Sequence, residues 1–546
     1  MSAVLYFMTV NESKRNWRIS AFMAALPLSG RSTGICTTGV EVVKHKPGTA
    51  YGLWTGSGTN RRMCAMPSAT LDLVTHEEAS PRSPALHLVG GVTLSYGDLA
   101  ALVDEVERSF RHDTKALVLC AGDRDLPTLL AYLAALRLGH AVAFMPASAE
   151  VLAAYQPEFV VPGPGGVPDL AELGYVPGEP AGGAPVLRRR SAQPACDIFP
   201  DTALLLSTSG TTGSPKAVRL SYDCLADNSE AIARVLGITA AERAPTTLPI
   251  THAYGLSVLN SHLRSGASVV LSDRTPLSLA MWDHLTRAGA TSFAAVPTTY
   301  AAFGPAHLNL LERTGIRTMT QSGARLRDEL TMRLVRMMER RQGRFFPMYG
   351  QTEATSRIAC LDPADLPDRL GSVGTAVPGG VITIAPTEAH ERAAPGEGAV
   401  HYRGPGVMLG YATGRDDLGR GPEVDVLDTG DLGYVRDGYL YLTGRTKRIV
   451  KVLGVRTSLD DLERVVERSD HPSAVVCGDD DVVYLFGAGD PAVHEKQRRQ
   501  LAEVLGVPSR HVAVRHVDRL PHTPGGKIDY RALTAAVNPQ EVGQWN

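Results

Sequence analysis

The run Leu204 to Ser221, LLLSTSGTTGSPKAVRLS, constrains this chain more than any other stretch. An apolar segment of strand type ends in a loop of hydroxyls and glycines, passes Pro215-Lys216, and gives way to a second apolar segment. Gly210 and Gly213 allow tight turns and a close approach of the backbone to a ligand. Ser207, Thr208, Ser209, Thr211 and Thr212 add hydroxyl donors to the exposed amides. Lys216 supplies a compact cation suited to a polyphosphate. A Walker loop would have Gly directly before the lysine and Ser or Thr after it; Pro215 and Ala217 stand there instead, which disfavours a P-loop NTPase. A flexible Ser/Thr/Gly linker would share the composition but not the strand-like flanks.

Three further motifs follow. FPMYGQTEAT (Phe346 to Thr355) offers an aromatic face at Tyr349, a close-approach point at Gly350, a hydroxyl at Thr352 and, at Glu353, the carboxylate oxygen a hard cation prefers. LDTGDLGYVRDGYLYLTGR (Leu427 to Arg445) places Asp431 in a turn where an acid can accept from both hydroxyls of a ribose, with the planar fork of Arg445 at its far end. Within it, Asp437-Gly438 predicts a type I′ hairpin. LPHTPGGKIDYRAL (Leu520 to Leu533) carries Lys527 behind Gly525-Gly526, a pliable tip able to deliver a long cation into a site formed elsewhere.

Together these motifs resemble those of the adenylate-forming (AMP-binding) enzymes, which include acyl-CoA synthetases, peptide-synthetase adenylation domains and luciferases. The resemblance runs from about Leu94 to Leu533. It implies an α/β fold with a large N-terminal domain of sheets sandwiched by helices, residues 66–446, and a small mobile α+β C-terminal domain, residues 447–546, turning on a hinge at Lys447. It also implies ATP and Mg2+ as cofactors. Residues Ser207 to Gly213 with Lys216 would then hold the phosphates, Tyr349 and Gly350 the adenine, Asp431 and Arg445 the ribose, Thr352 the α-phosphate and Glu353 the metal. Gly323 and Ala324, in TMTQSGARL, correspond to the family loop beneath adenine and acyl group. Lys527 would stabilise charge on the carboxylate and α-phosphate, and so forms the catalytic set with Glu353, Thr352 and Lys216.

The acyl pocket would be walled by His252 and Tyr254 of THAYG and by the small edge Ser322-Gly323. That suits an aromatic or cinnamate-like acid, and a medium-chain acid also fits. The Phe-Asp pattern with which peptide-synthetase domains hold a substrate ammonium is missing, so an α-amino acid is disfavoured. The acyl group would pass from AMP to the thiol of CoA, or to the phosphopantetheine of a carrier protein, along the Val452 to Arg456 loop. A second branch stays open. THAYGLSVLNSHL and LDDLE also resemble the ATP-dependent diazotases, which adenylate nitrite and act on an aryl amine. A luciferase-like oxygenase would share the adenylation half.

Composition narrows the setting. A chain of 546 residues exceeds one ordinary core. Lys+Arg 55 against Asp+Glu 57 gives no reason to expect nucleic acid or an anionic membrane as partner. Seven cysteines without CxxC spacing suggest neither a zinc site nor a disulfide framework, and fit buried thiols in the cytoplasm. No apolar run is long enough to span a membrane. Residues 1–65 read as a disordered extension: Lys14, Arg15 and Arg18 precede an apolar run that Pro27 cuts short. Orderly β-α-β alternation begins near Ala85. There, Gly90-Gly91 joins two strands, Ser95 caps a helix with Leu99, Leu102, Val103 and Val106 on one face, and strands are expected at Ala116 to Cys120, Ala141 to Met145 and Leu248 to Ile250.

Overall fold

Ser95 shows how local sequence sets the architecture. Its hydroxyl accepts from the Asp98 amide at 3.1 Å while the Asp98 carboxylate accepts from the Ser95 amide at 3.1 Å, a reciprocal cap that starts the helix Tyr96–Ser109. One turn on, Leu99, Leu102, Val103 and Val106 are buried together, as their spacing predicts. The computed structural model describes residues 70–537, apart from 164–170, 181–184, 191–195, 208–215, 388–393, 453–454, 468–470, 479–481 and 524–525, together with the backbone of three N-terminal strands. Those strands, Ala3–Asn11, Asn16–Ala24 and Gly39–Val42, pair antiparallel in the region where the sequence predicts a disordered extension, and form a sheet of their own.

The large unit is layered. An eight-stranded sheet has a parallel centre, Thr202–Ser207, Ala141–Phe144, Leu117–Cys120 and Phe159–Val161, with antiparallel strands on both flanks. Its central strands are buried on both faces, which is why they read as continuous apolar runs rather than alternating ones. A second sheet joins Arg243–Pro245, Ser268–Val270 and the hairpin Pro84–His87/Thr93–Ser95. A third carries Ser292–Ala295, Thr318–Gln321 and Arg344–Tyr349 in parallel, so that two candidate loops leave the same end of adjacent strands. A four-stranded antiparallel sheet follows, with the hairpin Leu427–Arg436/Tyr439–Arg445 at its edge. Asp437 and Gly438 at its turn have φ of 53° and 85°, the signs a type I′ turn requires.

One expected strand is missing. Leu248 to Ile250 runs through a turn closed by the His252 amide on the Pro249 carbonyl at 3.2 Å, into the helix Ala253–Arg264. Gly255 permits that turn, since a Cβ there would collide with the Pro249 carbonyl oxygen. Beyond Arg445 lies a smaller unit with its own core, comprising two strands from Ile449 to Ser458, the helix Leu459–Val466, a three-stranded sheet, and the helices Pro491–Leu505 and Tyr530–Val537. Among the described residues Cys120, Cys196, Cys224, Cys360 and Cys477 are free thiols, and no helix is long and apolar enough to cross a membrane.

Candidate active site

The phosphate-loop candidate is framed by paired strands. Ser207 ends one strand and Ala217 begins the next, and the two are directly opposite in antiparallel register. Thr208, Ser209, Gly210, Thr211, Thr212 and Gly213 lie outside the described residues. Lys216 stands at the loop's exit with its ammonium 3.5 Å from the centre of the Tyr411 ring. Tyr411 in turn donates its hydroxyl to Glu353 at 3.0 Å, so the two charged residues singled out in separate motifs share one neighbour. Glu353 and Thr352 sit on a single 3-10 turn, Thr352–Ala354, shortly after the strand that ends at Tyr349.

A second group forms around Asp431, which is only 7% exposed. Its carboxylate accepts the Tyr349 hydroxyl at 2.5 Å and faces the Arg445 guanidinium at 3.1 Å. Burial pushes the Asp431 pKa up, against the opposing pull of Arg445, Tyr349 and Lys527. Tyr349 is pushed well up as well, first by burial and then by the adjacent carboxylate. Gly350 lets the chain fold back on itself: a Cβ there would collide with the Ser356 carbonyl oxygen.

Lys527 reaches this cluster from the small unit. Its Cε lies 4.0 Å from where a Cβ on Gly323 would be, and Gly526, beside it in the tip, faces Thr298 and Val296. As a whole residue Lys527 is exposed, while protein around its ammonium is sufficient to desolvate the charge. Burial lowers its pKa and Arg445 lowers it further, while Asp431 and Glu353 oppose the shift. His252 belongs to the same neighbourhood: burial lowers its pKa first and Lys527 second, with Asp123 opposing, so its ring is neutral near pH 7. Tyr254, two residues on, donates to or accepts from the Thr320 hydroxyl at 2.8 Å, and so ties the helix start to the strand that leads into Ser322, Gly323 and Ala324.

Comparison with known proteins accounts for this arrangement. Residues 174–412 match the AMP-binding enzyme family. Oxalate–CoA ligase of Arabidopsis thaliana is 31% identical over 352 residues, covering 61% of this chain and 67% of that one. The chain belongs to the adenylate-forming enzymes. 2-Succinylbenzoate–CoA ligase of Lactococcus lactis is 26% identical over 339 residues, 60% of this chain and 70% of that one. ATP-bound MatB of Rhodopseudomonas palustris shares the fold, with a TM-score of 0.65 at 22% identity over 84% of this chain and 96% of that one. This adenylate-forming enzyme is therefore an ATP-dependent, AMP-forming ligase, with the two-domain α/β fold it shares with MatB.

The donor set of the adenylate-forming site fits Mg2+. Among the described residues no group of three or more His, Cys, Asp or Glu side chains could hold a metal, and Glu353 is a single carboxylate that accepts the Tyr411 hydroxyl. One carboxylate completed by phosphate oxygens and water is the coordination Mg2+ favours. Two residues of this region escape motif reading. Tyr411 lies in a three-residue strand, Gly410–Ala412, and is brought in only by its pairing opposite Val218. Arg357 follows the TEAT motif by two positions and is buried at 2% exposure beneath the Tyr254 ring, 4.0 Å from its centre. Hydropathy assigns an arginine to the surface, and the sequence carries no sign of its burial.

Proposed function

We propose that the enzyme activates a carboxylic acid as its acyl-adenylate and passes the acyl group to the thiol of CoA or of a carrier-protein phosphopantetheine. The observation that carries this reading is that Lys527, at the tip of the small unit, lies against Gly323 of the large one and within electrostatic reach of Arg445, Asp431 and Glu353, since a cation delivered from one unit to the face of another serves a reaction at that face. A carboxylate oxygen attacks the α-phosphorus in line, the bond to pyrophosphate breaks, and no base is required because the acid is already ionised at neutral pH. Lys527 holds the negative charge that gathers on the carboxylate and α-phosphate oxygens. Lys216 and Thr352 hold the phosphates, Asp431 and Arg445 the ribose, and Tyr349 with Gly350, Gly323 and Ala324 the adenine. Glu353 would hold Mg2+, which would neutralise charge on the phosphates. His252, Tyr254 and Ser322 wall the acyl group, a shape suited to a planar aromatic or cinnamate-like acid or a medium-chain one.

After adenylation the small unit turns about Lys447, on the 3-10 turn Thr446–Arg448, and withdraws Lys527. The Val452 to Arg456 loop would then face the thiol; Leu453 and Gly454 within it lie outside the described residues. The test is pyrophosphate release with Mg-ATP across aromatic acids, fatty acids and nitrite, each with and without CoA, with an amino-aryl acid added to the nitrite samples. The expected result is release that depends on a carboxylic acid, with turnover to thioester and AMP when CoA is present. Release that requires nitrite plus the aryl amine and ignores CoA would overturn the reading in favour of a diazotase.

A further inference from the structure

Three arginines are essentially buried among the described residues, Arg219, Arg357 and Arg415. Arg219 pairs with Glu423 at 2.5 Å and Arg415 with Glu158 at 3.0 Å. Among the described residues no carboxylate pairs with Arg357. Its guanidinium donates to the Ser356 hydroxyl at 2.5 Å, contacts the Met348 sulfur at 3.3 Å and stacks on Tyr254. The ionisable groups whose charge acts on it are Tyr254 and Cys360, and both are neutral at pH 7 because burial raises their pKa values, Cys360 to about 12. An uncompensated buried cation is costly, so a site that keeps one has a use for its charge.

The surroundings show what that use is. Arg357 lines a largely apolar cavity with about 20 Å³ of free space, where Ile232, Leu236 and Phe293 stand beside the polar Thr320, Ser257, Ser261 and His262. That is room for one or two water-sized groups, comparable to the two oxygens of a carboxylate. His262 donates from Nδ1 to the Val258 carbonyl at 2.8 Å, and burial lowers its pKa to about 4, so it is neutral and does not repel the guanidinium. Glu242 also borders the cavity, but it accepts the Thr291 hydroxyl at 2.5 Å and does not pair with Arg357. Thr355 and Ser356, immediately before the arginine, have φ of 59° and 140°, a conformation non-glycine residues avoid and one that turns the chain to bury Arg357. Tyr254, a wall of the candidate acyl site, contacts both Thr320 of the cavity lining and Arg357 itself.

We propose that the acid activated here carries a second anionic group at the end remote from the reacting carboxylate, and that Arg357 receives it, which makes dicarboxylic acids the substrate class. This rests on the acid-ligase reading above. The test compares kcat/KM for pyrophosphate release between straight-chain or benzene dicarboxylic acids and the monocarboxylic acids in which methyl replaces the distal carboxylate, for the native enzyme, Arg357→Lys and Arg357→Met. The native enzyme should prefer the best dicarboxylate over its methyl partner by at least about tenfold. Arg357→Met should lower kcat/KM for that dicarboxylate by about a hundredfold, mainly through KM, and narrow or reverse the preference, with Arg357→Lys in between. Equal or better turnover of the monocarboxylates by the native enzyme would overturn the assignment whether or not the variants fold, and so would a dicarboxylate preference that survives in Arg357→Met. Failure of every acid, mono- and dicarboxylic alike, would count against the ligase reading itself and remove this proposal with it.

Discussion

Lys527 carries a charge that its surroundings make harder to keep. Burial and Arg445 lower its pKa, and Asp431 with Glu353 recover only part of the shift. On the proposed mechanism the cationic form stabilises adenylation, and it is lost as pH rises through this lowered value. The rate of acyl-adenylate formation should therefore fall on the alkaline side at a pH below the ordinary lysine value of about 10.4. A pH profile of pyrophosphate release measures this, and Lys527→Arg, whose charge does not titrate in that range, should lose the alkaline limb even if its rate is low. A limb that persists unchanged in Lys527→Arg would assign it to another group. Lys527, Glu353 and Asp431 are candidates already in the sequence because each sits in a motif whose neighbours restrict what it can do. Tyr411 and Arg357 are not, because a tyrosine in a three-residue strand and an arginine among small residues acquire their roles only from tertiary pairing.

At the scale of elements, the loop from Tyr349 to Arg357 is the least replaceable. It leaves a buried strand, makes one 3-10 turn, and doubles back through two residues of positive φ, so that the Ser356 carbonyl lies against Gly350. Gly350→Ala would drive a Cβ into that carbonyl and toward the Arg357 Cα at 2.9 Å, both of them backbone atoms that cannot swing aside. The expected outcome is a drop in ATP affinity of at least about tenfold and a loss of about 1–3 kcal/mol in stability, read by nucleotide titration and thermal unfolding. Wild-type affinity in that variant would show that the loop tolerates rearrangement. Local rules served this region unevenly. The helix cap at Ser95 and the Asp437-Gly438 hairpin follow from side-chain and turn chemistry, and both stand as expected. The run Leu248 to Ile250 is apolar like a strand, yet Pro249 has no amide to offer a sheet and the packing of Gly255 bends the chain into a turn.

At the scale of the whole molecule, two units meet across the reaction. Arg448, next to the proposed pivot Lys447, binds Asp460 at 2.7 Å and Glu463 at 2.9 Å and stacks 3.8 Å from the centre of the Tyr530 ring, whose hydroxyl donates to Glu463 at 2.8 Å. The pivot is thus tied through one ion-pair network to the helix Tyr530–Val537, which begins just after Lys527. Between the units, the Arg445 amide donates to Asp460 at 2.9 Å and Arg325 faces Glu467 at 3.5 Å. These are few and partly exposed contacts, suited to a joint that closes and opens. The motif order along the chain predicted such a joint but not its contacts, since none of Arg325, Asp460 or Glu467 stands out in a motif as a contact residue. The central claim is that the tip of the small unit completes the adenylation site. It is tested most directly by acid-dependent exchange of pyrophosphate into ATP, measured for the native enzyme and Lys527→Ala alongside ATP affinity. The account predicts that exchange falls by at least about a hundredfold while ATP binding is retained; exchange at the native rate in Lys527→Ala would contradict it.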